Sequence, residues 1–122
     1  MYKDITIWGR IFSIEIVFDV FKGEEVLAEQ QQALDSFLAV ADNVLSDSSE
    51  IGNYCANNSY GEVSLPIDNI FKYVIPTQLF VPRNADLRRV VLLCDFKYDE
   101  EAGCALVFEN EQLANICTQE EV

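Results

Sequence analysis

The sequence predicts an α+β domain: an antiparallel sheet of about five to six strands, with two or three helices inserted after an N-terminal hairpin and packed on one face. Three observations predict it. Residues 12–21 alternate between apolar and polar side chains. Residues 26–45 repeat apolar side chains at helical spacing. Residues 78–117 return to short apolar runs separated by turn residues. Strands grouped at both ends around helices give the order β-β-α-α-(α)-β-β-β-β. No repeat, low-complexity tract or linker divides the chain, so residues 1–122 read as one domain.

The elements follow in order. Residues 5–8 form a short apolar run that ends at Gly9-Arg10, where a hairpin turn is expected. Phe12, Ile14, Ile16, Phe18 and Val20 then share one face, with Ser13, Glu15 and Asp19 on the other, the period-two signature of a half-buried strand. Residues 22–24 end it. A helix is expected over residues 26–45, because Leu27, Leu34, Phe37, Leu38, Ala41, Val44 and Leu45 fall on one stripe. Glu24, Glu25 and Glu29 near its start suit the positive end of the helix dipole. Gln30, Gln31, Gln32, Asp35, Ser36, Asp42 and Asn43 fall on its wet side.

Ser46-Asp47-Ser48-Ser49 reads as a turn and helix cap, and Ile51, Tyr54 and Cys55 as a short second helix broken at residues 57–61. A third helical turn is expected over residues 68–74, stopped by Pro76. Residues 78–81 form a short strand and residues 83–86 a polar turn. Residues 88–96 are apolar on both faces around Val90–Cys94, as in a central strand. Residues 97–103 connect a hairpin, and strands at 104–109 and 112–117 flank a turn at Asn110-Glu111 that lacks the usual glycine.

Charge is the most informative property for function. The 122 residues carry a formal net charge of −13, yet half are hydrophobic and 11% aromatic, which favours a folded chain over a disordered one. Between Lys22 and Lys72 there are nine carboxylates and no lysine, arginine or histidine. After Lys97 the carboxylates resume, again without a cation. Such a surface repels nucleic acid and anionic membrane and speeds encounter with basic partners. Solubility is the competing explanation for the same charge. Arg83, Arg88 and Arg89 form the one basic cluster, too small to hold nucleic acid, and pairing with neighbouring carboxylates is expected.

No secretory leader is read at the N-terminus and no apolar run approaches a membrane span of about 18 residues, so a cytoplasmic location is expected. Cys55, Cys94, Cys104 and Cys117 include no C-x-x-C pair and have no histidine beside them. They read as reduced core residues, with a Cys94–Cys104 bridge across a hairpin as an alternative.

Catalysis has little support. Without histidine the usual base near neutral pH is missing, and no nucleophile elbow, Walker loop or dinucleotide fingerprint occurs. No cofactor is expected. The acidic segment 95–103 lacks the spacing and the central glycine of a calcium loop. It fits either a hairpin turn whose carboxylates cap backbone N–H groups, with Gly103 at positive φ, or an acidic contact for a cationic partner. Residues 47–61 combine Asp47, Glu50, Tyr54, Asn57, Asn58 and Tyr60, side chains suited to recognition. An ordinary inter-helix loop with Tyr54 tucked into the core is the alternative. Asn57-Asn58-Ser59 matches a glycosylation acceptor, which has no role without a secretory route.

The run Leu92-Leu93-Cys94-Asp95-Phe96-Lys97-Tyr98-Asp99-Glu100-Glu101-Ala102-Gly103, continuing to Asn110, resembles a family of small acidic bacterial domains. That family has an aspartate, aromatic, aspartate-glutamate, glycine hairpin before its last strands. The preceding helix segment at residues 29–38 and the step Lys72-Tyr73-Val74-Ile75-Pro76 are also similar, so the resemblance covers most of the chain. Phe96 and Tyr98 stand where the family pattern has tryptophan, and Ala102 where histidine is often found. Any role of that histidine is therefore absent here.

The resemblance implies an immunity protein of a toxin–immunity system, including contact-dependent growth inhibition. Its partner would be the basic C-terminal toxin domain of a delivered effector. A nuclease is expected, because a nuclease presents cations to phosphates. The expected contacts are Glu50, Tyr54, Asn57, Asn58, Tyr60, Glu62 and Asp68, then Asp99, Glu100 and Glu101. The alternatives are an acidic adaptor or regulator of another basic protein, with no toxin, and a small-molecule enzyme or binding module, which the lack of histidine disfavours.

Overall fold

A computed structural model describes residues 1–83 and 87–122. Most of the polar turn expected at 83–86 therefore lies outside the described residues. The strands are β1 (Tyr2–Ile7), β2 (Arg10–Phe18), β3 (Val74–Val81), β4 (Arg89–Phe96), β5 (Cys104–Glu109) and β6 (Gln112–Cys117). The helices are α1 (Ala28–Val44) and α2 (Ser49–Asn57). All six strands join one sheet, and their order across it is their order along the chain.

The expected α+β class holds, but the sheet is not wholly antiparallel. β2 and β3 pair in parallel, with Glu15 opposite Gln78 and Phe18 opposite Val81. The helical segment between them carries the chain back to the end from which it set out, so the next strand runs the same way. The other neighbours pair antiparallel, as hairpins dictate. In place of a third helix there is one 3₁₀ turn, Ile70–Lys72.

Turn chemistry explains the local differences. The first hairpin turns at Trp8 and Gly9, with φ of 49° and 87°, and Arg10 already pairs with Ile7. Asn110 and Glu111 also have positive φ, 50° and 64°, so this turn forms without glycine. Arg88 braces it: Nε and a terminal nitrogen reach Glu111 at 2.8 and 3.0 Å, and its backbone oxygen accepts from Asn110 N–H at 2.8 Å. β3 starts before Pro76 rather than after it. Pairing with β2 begins only at Gln78, and a bulge lies between Pro76 and Gln78, so the missing proline N–H breaks no β2 ladder bond.

The helices cover one face. Ala33, Leu34, Phe37, Ala41 and Leu45 from the α1 region and Ile51 and Cys55 from α2 pack on Ile5, Ile7, Ile14, Ile16, Leu92, Leu106 and Phe108. Phe37 and Phe108 meet at a centroid distance of 5.0 Å. Burying such a ring stabilises the fold by about 1.5–3 kcal/mol. Among the described residues no α-helix covers the opposite face; Val91, Ala105, Val107 and Cys117 form a smaller cluster there, flanked by Phe80 and Leu93. β4 thus contributes to both clusters, as its two-sided apolar sequence required.

One residue departs sharply from the sequence reading. Gln30, expected on the wet side, is buried at 2% exposure. Its Oε1 accepts from Leu27 N–H at 2.9 Å, and its Nε2 donates to the backbone oxygens of Asp19 and Val81 at 2.9 and 3.1 Å. It ties the first turn of α1 to the ends of β2 and β3. All four cysteines are buried free thiols, and Cys94 lies opposite Cys104 in the β4–β5 ladder. Among the described residues, no helix is long and apolar enough to cross a membrane.

Candidate partner-binding site

α2 sets the geometry of the site. Asp47 accepts from Ser49 N–H at 2.9 Å just ahead of the helix, and Glu50 lies in its first turn. Asn58 closes the other end, its side chain donating to Tyr54 O at 2.8 Å. Ile51, Gly52 and Cys55 face inward, while Glu50, Asn53 and Asn57 are exposed and Tyr54 is half-buried. A Cβ on Gly52 would touch Ile67 at 3.7 Å and Leu65 at 3.8 Å, so the following loop packs closely against the helix.

The outward face of α2 meets the last strand. Glu50, Asn53, Tyr54 and Asn57 line a groove of about 560 Å³ with Leu113, Ala114, Asn115 and Ile116. β6 ends the sheet, so among the described residues its outer edge has no neighbouring strand. A bulge shapes it: Val107 pairs with Asn115 and Phe108 with Leu113, leaving Ala114 as the extra residue. Glu50, Tyr54 and Asn57, expected as contacts from sequence, are therefore brought together. Asn53 and the β6 residues were missed. The available signal was Gln112-Leu113-Ala114-Asn115-Ile116-Cys117, a strand without one charge in a chain that is 24% charged.

Tyr54 links this groove to the acidic turn after β4. Its ring lies 5.7 Å from Phe96, which lies 5.8 Å from Tyr98. Burial pushes the Tyr54 phenol up from its ordinary value, and the neighbouring thiols Cys104 and Cys117, then Glu121 and Asp99, push the same way. Tyr98 is raised too, by burial first, then by Tyr73 and Glu62. Glu62, Asp99 and Glu121 thus lie near this aromatic row, whereas Glu109 and Glu111 lie at the other end of the β5–β6 hairpin, paired with Arg89 and Arg88.

The remaining expected contacts have separate positions. Asp99 serves the turn: its side chain accepts from Ala102 N–H at 3.1 Å and its backbone oxygen from Gly103 N–H at 2.8 Å. Gly103 has φ of 59°, as that turn requires. Asn58 is engaged in closing α2. Tyr60 is 89% exposed, and Glu62 and Asp68 are exposed on the same loop. Glu101 is exposed, and Glu100 lines a different groove with Lys72, Tyr73 and Lys97.

Positive charge is spent elsewhere. Arg83 pairs with Glu24, Arg88 with Glu111 and Arg89 with Glu109, so the expected pairing of the arginine cluster is observed. Lys97 lies over the rings of Tyr73 and Tyr98 at 5.8 and 5.7 Å, and Arg10 over Phe71 at 4.4 Å. The α2–β6 groove has no cation in its lining. Among the described residues no group of three or more His, Cys, Asp or Glu side chains could hold a metal ion.

A family model matches residues 2–122. The chain belongs to the family described as Domain of unknown function (DUF6985). No curated protein and no solved structure matches it. The family description assigns no activity.

Proposed function

We propose that this chain is an immunity protein that binds and neutralises a cognate basic toxin domain, of nuclease type, through an acidic surface. The observation that carries the reading is the α2–β6 groove: recognition side chains beside an open sheet edge, a carboxylate at the rim and no cation in the lining. The sequence resemblance to small acidic immunity proteins supports the same reading. An acidic inhibitor would match the phosphate-binding cations of a nuclease and exclude substrate. Long-range attraction would speed association, and the aromatic and amide contacts around Tyr54 would slow release.

The test is co-expression with the C-terminal domain of a large secreted effector, where a neighbouring gene encodes one. The expected result is relief of growth inhibition and a complex that survives purification. Association should slow about tenfold or more between roughly 20 and 500 mM NaCl, with dissociation little changed. Salt-independent association removes the steering claim. Failure to relieve toxicity, with recovery of a housekeeping protein instead, establishes the adaptor reading.

A further inference from the structure

The two edges of the sheet differ. β1, at one edge, carries Lys3 and Asp4, both exposed, and charge on an edge strand is a common guard against unwanted pairing. β6, at the other, carries no charged residue, and Gln112 through Asn115 are all exposed, Leu113 at 36%. Its bulge at Ala114 bends the strand but leaves the residues on either side extended. Glu109 and Gln112 close the two-residue turn, so they form the hydrogen-bonded pair; the next pair, Phe108 and Leu113, turns the Leu113 N–H and C=O outward.

Grooves flank this edge on both faces and share Ala114 and Asn115. The α2 side is lined by Glu50, Tyr54 and Asn57. The helix-free side, about 300 Å³, is lined by Phe80, Val107, Cys117, Glu121 and the Arg89–Glu109 ion pair. Side chains of a strand point alternately to opposite faces. A strand laid against β6 would send one set of side chains toward Glu50 and the other toward Glu121. Neither carboxylate has a cation within 4.0 Å among the described residues.

We propose that the free edge of β6 accepts an extended cationic segment of the partner as a seventh strand, with its alternate basic side chains directed to Glu50 and Glu121. This rests on the reading of the chain as a binder of a basic protein and specifies how that binding is made. Main-chain bonds supply affinity and the two grooves supply selection. A second copy of the chain is the poorer occupant. Pairing β6 with β6 would bring together two chains of net charge −13; the α2-side groove has no cation in its lining, and Arg89 of the other groove is already paired with Glu109.

The test is an amide NMR titration of the intact chain at low salt. The probe is a nonapeptide alternating lysine with threonine and valine. Its partner probe has the same sequence, N-methylated at alternate residues so that charge and side chains persist while outward donors are lost. The expected result is shifts and exchange protection concentrated at Gln112–Ile116 and α2, with binding weakened about tenfold or more by methylation. Leu113→Pro, which removes an outward donor, should weaken the first peptide similarly while circular dichroism stays native. Shifts spread over the acidic surface and indifferent to methylation overturn strand addition but leave acidic binding intact. No shift at millimolar peptide overturns both. Concentration-dependent broadening of β6 amides without peptide assigns the edge to a second copy and overturns the cationic occupant.

Discussion

Replacing Gln30 with alanine tests the most constrained polar contact in the fold. The side chain makes three hydrogen bonds, to Leu27 N, Asp19 O and Val81 O. Val81 O keeps a second donor, Asp19 N–H at 3.0 Å, so the groups left short are Leu27 N–H and Asp19 O. Each costs about 1 kcal/mol when part-buried. The lost methylene adds about 0.8 kcal/mol. The expected destabilisation is about 3 kcal/mol, which at a urea slope of about 2 kcal/mol per molar shifts the midpoint by about 1.5 M. Urea unfolding followed by far-ultraviolet circular dichroism measures it. A midpoint shift below about 0.3 M would refute the structural role of this glutamine. Gln30→Glu gives the sign a second check. A carboxylate there would face the oxygens of Asp19 and Val81, so burial and those dipoles raise its folded pKa. Relative to the parent, the variant should hold its stability below about pH 4 and lose it as pH rises through the raised folded value.

Gly103→Ala should destabilise by about 2–3 kcal/mol in thermal melts. A Cβ there would sit 2.5 Å from Cys94 O and 2.6 Å from Gln119 Nε2, which itself donates to Cys94 O at 3.0 Å. An unchanged melting temperature would refute the close approach. Alkaline stability should fall in order. Cys55, Cys94 and Cys117 are raised above 9.0, and Tyr54 and Tyr98 above 10.0, chiefly by burial. Their contribution is complete below the unfolded values and is lost as pH rises through the higher folded ones. Unfolding free energy that stays flat past pH 11 would contradict this. Raising NaCl from about 20 to 500 mM should raise the melting temperature by screening self-repulsion, and a fall would show that the carboxylates are not mutually destabilising.

The fold was largely legible because its signals were local and periodic. The stripe of Ala33, Leu34, Phe37 and Ala41, and the alternation of Ile14 and Ile16, each decide which face is buried within a few residues. Parallel pairing of β2 with β3 was not legible. It depends on where the chain re-enters the sheet after α2, which no local pattern states. Gln30 was misplaced on residue type alone; three, four and seven positions before Ala33, Leu34 and Phe37, it occupies the apolar stripe. Glu50, Tyr54 and Asn57 were singled out by residue type in a polar segment, and α2 brings them to one groove. The β6 side of the groove was missed because its distinguishing property is an absence of charge, which acquires meaning only once the strand is known to lie at an edge. For Asp99 the sequence offered both a capping role and a partner contact, and its carboxylate accepts from Ala102 N–H as the capping role expects.

A sheet whose spatial order repeats its chain order has a kinetic consequence. Every pairing but one closes a hairpin, so its entropy cost is small. The exception joins β2 to β3, where Glu15 and Gln78 are 63 positions apart. The meander of β3 through β6 can therefore assemble early, and the N-terminal hairpin docks last, as α1 settles with Gln30 between the two parts. Pulse-labelled hydrogen exchange should protect β4 and β5 before β1, and simultaneous protection would show that the long closure belongs to the nucleus. The edge at β6 then exists from the first stage of folding, whereas the open edge of β3 is closed only when β2 docks.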